Sequence, residues 1–178
     1  IELSSSGNQK KFNTNVYEGV QVNDLLFSSD DSISRFGIKN NFLGIFKNVN
    51  SDGKNSSKFK DKAQSELLTM LSYDASLPLI KKGNKYINLL TPRASLRHSP
   101  NDTKNLKNEE RLLNSDNIFS INRLGFDETI EGGTSLTIGL DYEKNNKDTN
   151  DNFLRSKIGT VFRDEINENL PITSTLNK

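Results

Sequence analysis

The sequence predicts an all-β chain: an antiparallel transmembrane β-barrel segment of about six strands in three hairpins, part of a larger outer-membrane barrel. Three observations lead there. Apolar residues gather into short blocks that alternate with polar ones, the period of a strand with two unlike faces. Over 178 residues the hydrophobic share is only 32% and the mean hydropathy is -0.68. That is low for a water-soluble core but natural for a barrel, where only the lipid side of each strand must be apolar. The connections between blocks run short, long, short, long, short, the rhythm of tight periplasmic turns and extended external loops.

The blocks justify themselves in order. Residues 16–27 form the least regular one. In residues 35–47, Phe36, Ile38, Phe42 and Phe46 fall on one face and Arg35, Lys39, Asn41 and Lys47 on the other, interrupted by Leu43 and Ile45. Residues 67–79 set Leu67, Leu71, Tyr73, Ala75, Leu77 and Leu79 against Ser72, Asp74 and Ser76. Residues 88–98 alternate Leu90, Pro92, Ala94 and Leu96 with Thr91, Arg93, Ser95 and Arg97. Residues 134–144 oppose Leu136, Ile138, Leu140 and Tyr142 to Thr137, Gly139 and Asp141. Residues 152–164 oppose Leu154, Ile158 and Phe162 to Arg155, Lys157, Gly159 and Arg163, with Val161 as the exception. Each block is about as long as, or longer than, the roughly 9–11 residues that cross a bilayer as a tilted strand, and no run approaches the roughly 20 apolar residues of a transmembrane helix.

Ser29-Asp30-Asp31-Ser32 and Lys81-Lys82-Gly83-Asn84 suit tight turns, because Asp and Asn bond their own backbone and Gly accepts positive φ. A modest turn joins the last two blocks at 145–151. The long connections, at about 48–64 and 99–133, would count against strands in a compact soluble domain. The second carries apolar clusters at Leu112-Leu113 and Ile118-Phe119-Ser120-Ile121. Those clusters predict an external loop that is partly ordered over or into the barrel mouth, with Phe119, Arg123 and Asp127 bracing it. The chain opens on Ile1 without a signal peptide and closes on Thr175-Leu176-Asn177-Lys178, so the expectation is one barrel domain over 1–178 truncated at both ends.

Charge is balanced, 24 Lys and Arg against 23 Asp and Glu, which gives no reason to expect nucleic acid. Cysteine is absent, excluding disulfides and thiolate chemistry. His98 is the only histidine, so no histidine pair is at hand for a metal or a triad. Asp148 to Asp151 lacks the glycine and closing glutamate of a calcium loop, Glu109 and Glu110 read as solvated, and no helix follows Gly132-Gly133 to make a phosphate cradle. The expectation is no enzyme, no metal and no cofactor. The inward set Arg35, Lys39, Arg93, Arg97, Asp141, Arg155, Lys157 and Arg163 is the nearest approach to a constellation. A wet lumen tolerates any polar residue, and a mostly cationic wall also eases passage of an anionic saccharide. Both readings stay open.

Leu89-Leu90-Thr91-Pro92-Arg93, then the run from Asp116 through Ile118-Phe119 to Asn122-Arg123-Leu124-Gly125-Phe126-Asp127, then Ser135-Leu136-Thr137-Ile138-Gly139-Leu140, together resemble the barrel domain of the LptD family. Glu128 departs from the arginine that many members carry there. The resemblance implies delivery of lipopolysaccharide to the outer leaflet of the Gram-negative outer membrane, in contact with membrane lipid. It also implies an LptE-type plug lipoprotein and the periplasmic Lpt bridge as partners. The competing classes are a porin or TonB-dependent receptor segment, and a soluble secreted β-domain that binds protein or glycan.

Overall fold

The computed structural model describes residues 1–149 and 151–173. Asn150, inside the expected 145–151 turn, and the closing residues 174–178 lie outside the described residues. The described residues form nine strands: β1 (Glu2–Lys11), β2 (Tyr17–Ser28), β3 (Ser32–Ile33), β4 (Lys39–Lys54), β5 (Gln64–Ser76), β6 (Leu79–Lys82), β7 (Tyr86–Ser99), β8 (Gly133–Asn146) and β9 (Asn152–Arg163). They form one antiparallel sheet in the order β1-β2-β4-β5-β7-β8-β9, with β3 and β6 pairing β4 and β7. No helix occurs among the described residues, so none there is long and apolar enough to cross a membrane; strands cross by other rules. The sheet is open, with β1 and β9 at its edges.

Register explains the broken strands. Leu71 to Ser76 of β5 pair His98 to Arg93 of β7, and Leu79 to Lys82 of β6 continue down the same strand from Leu90 to Ile87. Pro78 interrupts what is otherwise one long strand, because proline has no N–H for the ladder. Between β2 and β3 there is no proline; three residues, 29–31, face only two of β4, and the extra residue breaks the ladder.

Several expectations change. Among the described residues the count is nine strands rather than about six. The polar strand β1 carries no alternation and is legible only from its pairing with Tyr17 to Leu26 of β2. The turn expected at 29–32 lies at 34–37: the Gly37 N–H donates to the Ser34 carbonyl at 2.9 Å, and Ser32 and Ile33 already pair Asn40 and Lys39. Strand β4 runs on to Lys54, which shortens the expected 48–64 connection to residues 55–63.

Parity sorts the side chains. Phe42, Phe46, Leu67, Leu71, Leu96, Leu136, Ile138, Leu140, Leu154, Ile158 and Phe162 are exposed on one face, here called the outer face. The opposite, inner face holds Lys47, Ser72, Ser95, Arg97, Ser135 and Thr137, all buried. A sheet buries one face only when something covers it. The cover here is the long connection after β7.

Candidate functional site

Residues 100–132 leave β7, fold back across the inner face and return to β8. Four kinds of contact hold them there. The first is ionic. Arg123 retains 1% of its accessible surface, and five donor contacts account for its burial. Its Nε and Nη2 bond the two oxygens of Glu131, the latter at 2.6 Å. Its Nη2 also reaches Ser135 Oγ at 3.0 Å, and its Nη1 reaches Thr137 Oγ1 at 2.9 Å and the Ile118 carbonyl at 3.3 Å. Glu131 meanwhile accepts from Arg163 of β9, Nη2 to Oε1 at 2.6 Å. A guanidinium is the one cation with enough fixed donors to link a loop carboxylate, a loop carbonyl and two strand hydroxyls.

The second contact is steric. Gly139 of β8 and Gly159 of β9 face each other in register. A Cβ on Gly139 would lie 2.6 Å from the Phe119 ring, and one on Gly159 would collide with Ile118 Cδ1. The paired glycines therefore leave a depression into which Ile118 and Phe119 settle, Ile118 becoming buried. The Arg93 guanidinium lies over the Phe119 ring at 4.2 Å from its centroid.

The third contact is apolar. Val22, Ile45, Val49, Leu68 and Met70 of the inner face form a buried cluster with Ile130 of the loop, and Ile121 packs against it. Leu43 and Ile45, which interrupt the alternation of β4, point to this side, and Ile45 needs to be apolar because the loop sits on it. Lys47 is buried in the same region and pairs with Asp24 at 2.6 Å. The fourth contact lies at the loop end of the sheet. Leu106, Leu113, Leu124 and Leu170 form a second cluster, joined by Asn167 and Asn169 donating to the Thr103 hydroxyl and carbonyl. Outlying ion pairs complete the seam: Lys157 with Asp116 at 2.5 Å, Lys104 with Glu66 at 3.1 Å, and Lys58 with Glu128.

Burial pushes the Glu131 carboxyl up, but the hydrogen bond and charge of Arg123, followed by those of Arg163, outweigh it and hold the group below the ordinary glutamate value. Glu128 is likewise raised by burial and lowered further by its hydrogen bond to Lys58, with a net downward shift. Both carboxylates are therefore ionised at neutral pH.

Of the expected inward set, the structure brings Arg93, Arg97, Asp141, Arg155, Lys157 and Arg163 onto the inner face of β7, β8 and β9. Arg93 pairs Asp141 at 3.4 Å and Arg155 pairs Glu143 at 3.1 Å. Arg97 is buried, its Nε donating to Ser95 Oγ at 3.3 Å. Lys39 pairs Asp31 at 2.6 Å at the rim of a polar cleft of about 180 Å³ that also takes in Asn41, Asp74, Arg93 and Phe119. Arg35 is not on the wall: it sits in the 34–37 turn, its guanidinium 4.6 Å over the ring of its neighbour Phe36. Phe119 and Arg123 lie within the loop anchor, while Asp127 is exposed and makes no ion pair among the described residues; Glu131 supplies the carboxylate instead. Sequence reasoning missed Glu131, Ser135, Thr137 and the glycine pair. The signal for the last was present, since both glycines stood at inward positions of consecutive strands. His98 lies on the outer face, its Nδ1 3.1 Å from Thr134 Oγ1.

The arrangement is a cationic, hydroxyl-lined wall whose charges are answered in part by carboxylates of neighbouring strands and in part by those of a covering loop. The family model described as LPS transport system D matches residues 46–177, from within β4 through the covering loop and β9. No curated protein matches the chain.

Proposed function

The chain belongs to the LptD family, outer-membrane proteins of lipopolysaccharide transport and assembly in Gram-negative bacteria, and on that premise we propose that its sheet is barrel wall through which lipopolysaccharide reaches the outer leaflet. The family match carries this reading, because it covers the strands and the loop that build the site. In this reading the exposed apolar face meets lipid, the inner face meets the lumen, and residues 100–132 lie on the external side as a cover. The wall arginines that keep more than a third of their side chains exposed, Arg93 and Arg155, then favour anionic saccharide over neutral solutes. An LptE-type plug lipoprotein and the periplasmic Lpt bridge are the partners the family implies.

The test is depletion of the protein in its own cells, with newly made lipopolysaccharide followed to the surface by an impermeant label. The expected result is loss of surface lipopolysaccharide with accumulation inside, restored by the wild-type protein. Normal surface delivery combined with a defect in uptake of small solutes would overturn the reading in favour of a porin or a receptor.

A further inference from the structure

The outer face ends differently at its two ends. Between His98 and Thr134 at the loop end and Lys81, Asn88 and Lys144 at the short-turn end, the outward residues of β7 and β8 are Leu96, Ala94, Pro92 and Leu90 beside Leu136, Ile138, Leu140 and Tyr142. At antiparallel rise the stretch from His98 to Asn88 covers about 33 Å, or about 25 Å once tilted as barrel strands tilt, the height of the apolar band such barrels present to lipid. Lys81 and Lys144 flank Asn88 in one row, about 10 Å apart at ordinary strand spacing. Below them Tyr86 and Phe153 meet with ring centroids 5.3 Å apart, and Lys144 Nζ lies 4.3 Å from the Tyr86 centroid and 5.0 Å from that of Phe153. Lys85 Nζ stands 5.6 Å over Tyr86 from its other neighbour, and the Lys147 N–H ties the two turns by donating to the Lys85 carbonyl at 3.0 Å. The carboxylates nearby are turned away or lie beyond the row: Glu143 pairs Arg155 on the inner face, and Asp148 and Asp151 belong to the turn.

We propose that Lys81, Lys85 and Lys144, with Tyr86 and Phe153, form a binding site for the phosphate headgroup of anionic glycerophospholipid at the periplasmic edge of the apolar band. The proposal rests on the barrel reading above and goes beyond it. The amphipathic ring of Tyr86 settles at headgroup depth with Phe153 packed beside it, and ammonium groups around it face the lipid phosphates. Cations stacked on ring faces are held in place before lipid arrives, so less side-chain entropy is lost on binding.

The test takes the intact outer-membrane protein, incubates it with equal amounts of phosphatidylglycerol and phosphatidylcholine of the same acyl chains, and counts retained lipids by native mass spectrometry. Wild type should retain phosphatidylglycerol preferentially. K81Q/K85Q/K144Q should lower that retention on the order of a hundredfold, about fivefold for each cation removed. K11Q/K54Q, at the other end of the sheet, should leave it unchanged. Should the triple variant fail to fold, judged by heat-modifiable gel migration, K144Q alone must lower retention about fivefold and K81R/K85R/K144R must preserve it. Unchanged retention in the glutamine variants, equal loss in K11Q/K54Q, or displacement of phosphatidylglycerol by lipid A would overturn the proposal. Failure here with lipopolysaccharide delivery intact in the same cells counts against the headgroup site alone; failure of both counts against the barrel reading.

Discussion

Arg123 and Glu131, eight residues apart in the covering loop, form a buried two-point ion pair, and the same carboxylate reaches across to Arg163 on β9. One side chain thus closes the loop on itself and pins it to the wall. Removing it leaves two guanidinium groups, 1% and 10% exposed, without their carboxylate.

Glu131→Ala should therefore destabilise the loop-covered state by roughly 3–5 kcal/mol, the usual consequence of breaking a buried pair from one side. Hydrogen exchange should show lost protection across 118–131 while the β7–β8 ladder keeps its own. Retained protection in the loop would mean that the apolar contacts of Ile121 and Ile130 suffice without the ion pair.

Acid should release the same loop. Glu131 and Glu128 have folded values held below the ordinary glutamate value of about 4.5, so their stabilisation is complete above it. It fades as the pH falls from there through the depressed folded values. Protease sensitivity of the loop, scanned downward from pH 6 with an acid-active protease, should rise in that window. Glu131→Gln should be more sensitive than wild type at neutral pH and should lose most of the pH dependence.

The glycine pair predicts a steric route to the same outcome. Gly159→Val pushes on Ile118 and Gly139→Ala on the Phe119 ring, so either should lift the loop at a cost of about 1–3 kcal/mol, as overpacking does. Charge is untouched, so the acid response should survive. Cleavage at the exposed stretch 108–110 serves as the reference, since it should be cut with or without the substitution.

Facing can be checked one residue at a time. Single cysteines at Phe42, Leu96, Leu136, Leu140, Leu154 and Phe162, all exposed on the outer face, should react with bilayer-embedded probes and resist aqueous maleimide. Cysteine at Thr91 or Asp141, on the other face, should show the reverse. Leu90, half-buried beside Leu79 and Tyr142, should label weakly, and Phe36, in the 34–37 turn, should accept the aqueous probe.

Which face each strand residue takes was legible from sequence, because a strand has a period of two and a single misplaced residue would turn the whole block over. Leu96 against Arg97, or Phe162 against Arg163, can be assigned without coordinates. The turn at 34–37 was not legible, because Arg35 and Phe36 continue the alternation of β4 through a bend that only pairing with β3 reveals. Strand β1 was hidden for the opposite reason: ten residues exposed along their length carry no pattern, and cross-strand hydrogen bonds alone define them.

The site divides the same way. Alternation put Arg93, Arg97, Lys157 and Arg163 on one wall, since that rests on local geometry. Only the tertiary structure decided that Leu68, Met70 and Ile45 belong on that wall too: periodicity reads them as errors, but the loop brings Ile130 and Ile121 down upon them and removes that patch from water. It also decided that Glu131, not Asp127, answers Arg123. Both carboxylates are near in sequence, and the difference is set by which one the returning chain delivers to β8 and β9, a consequence of long-range packing that no local period encodes.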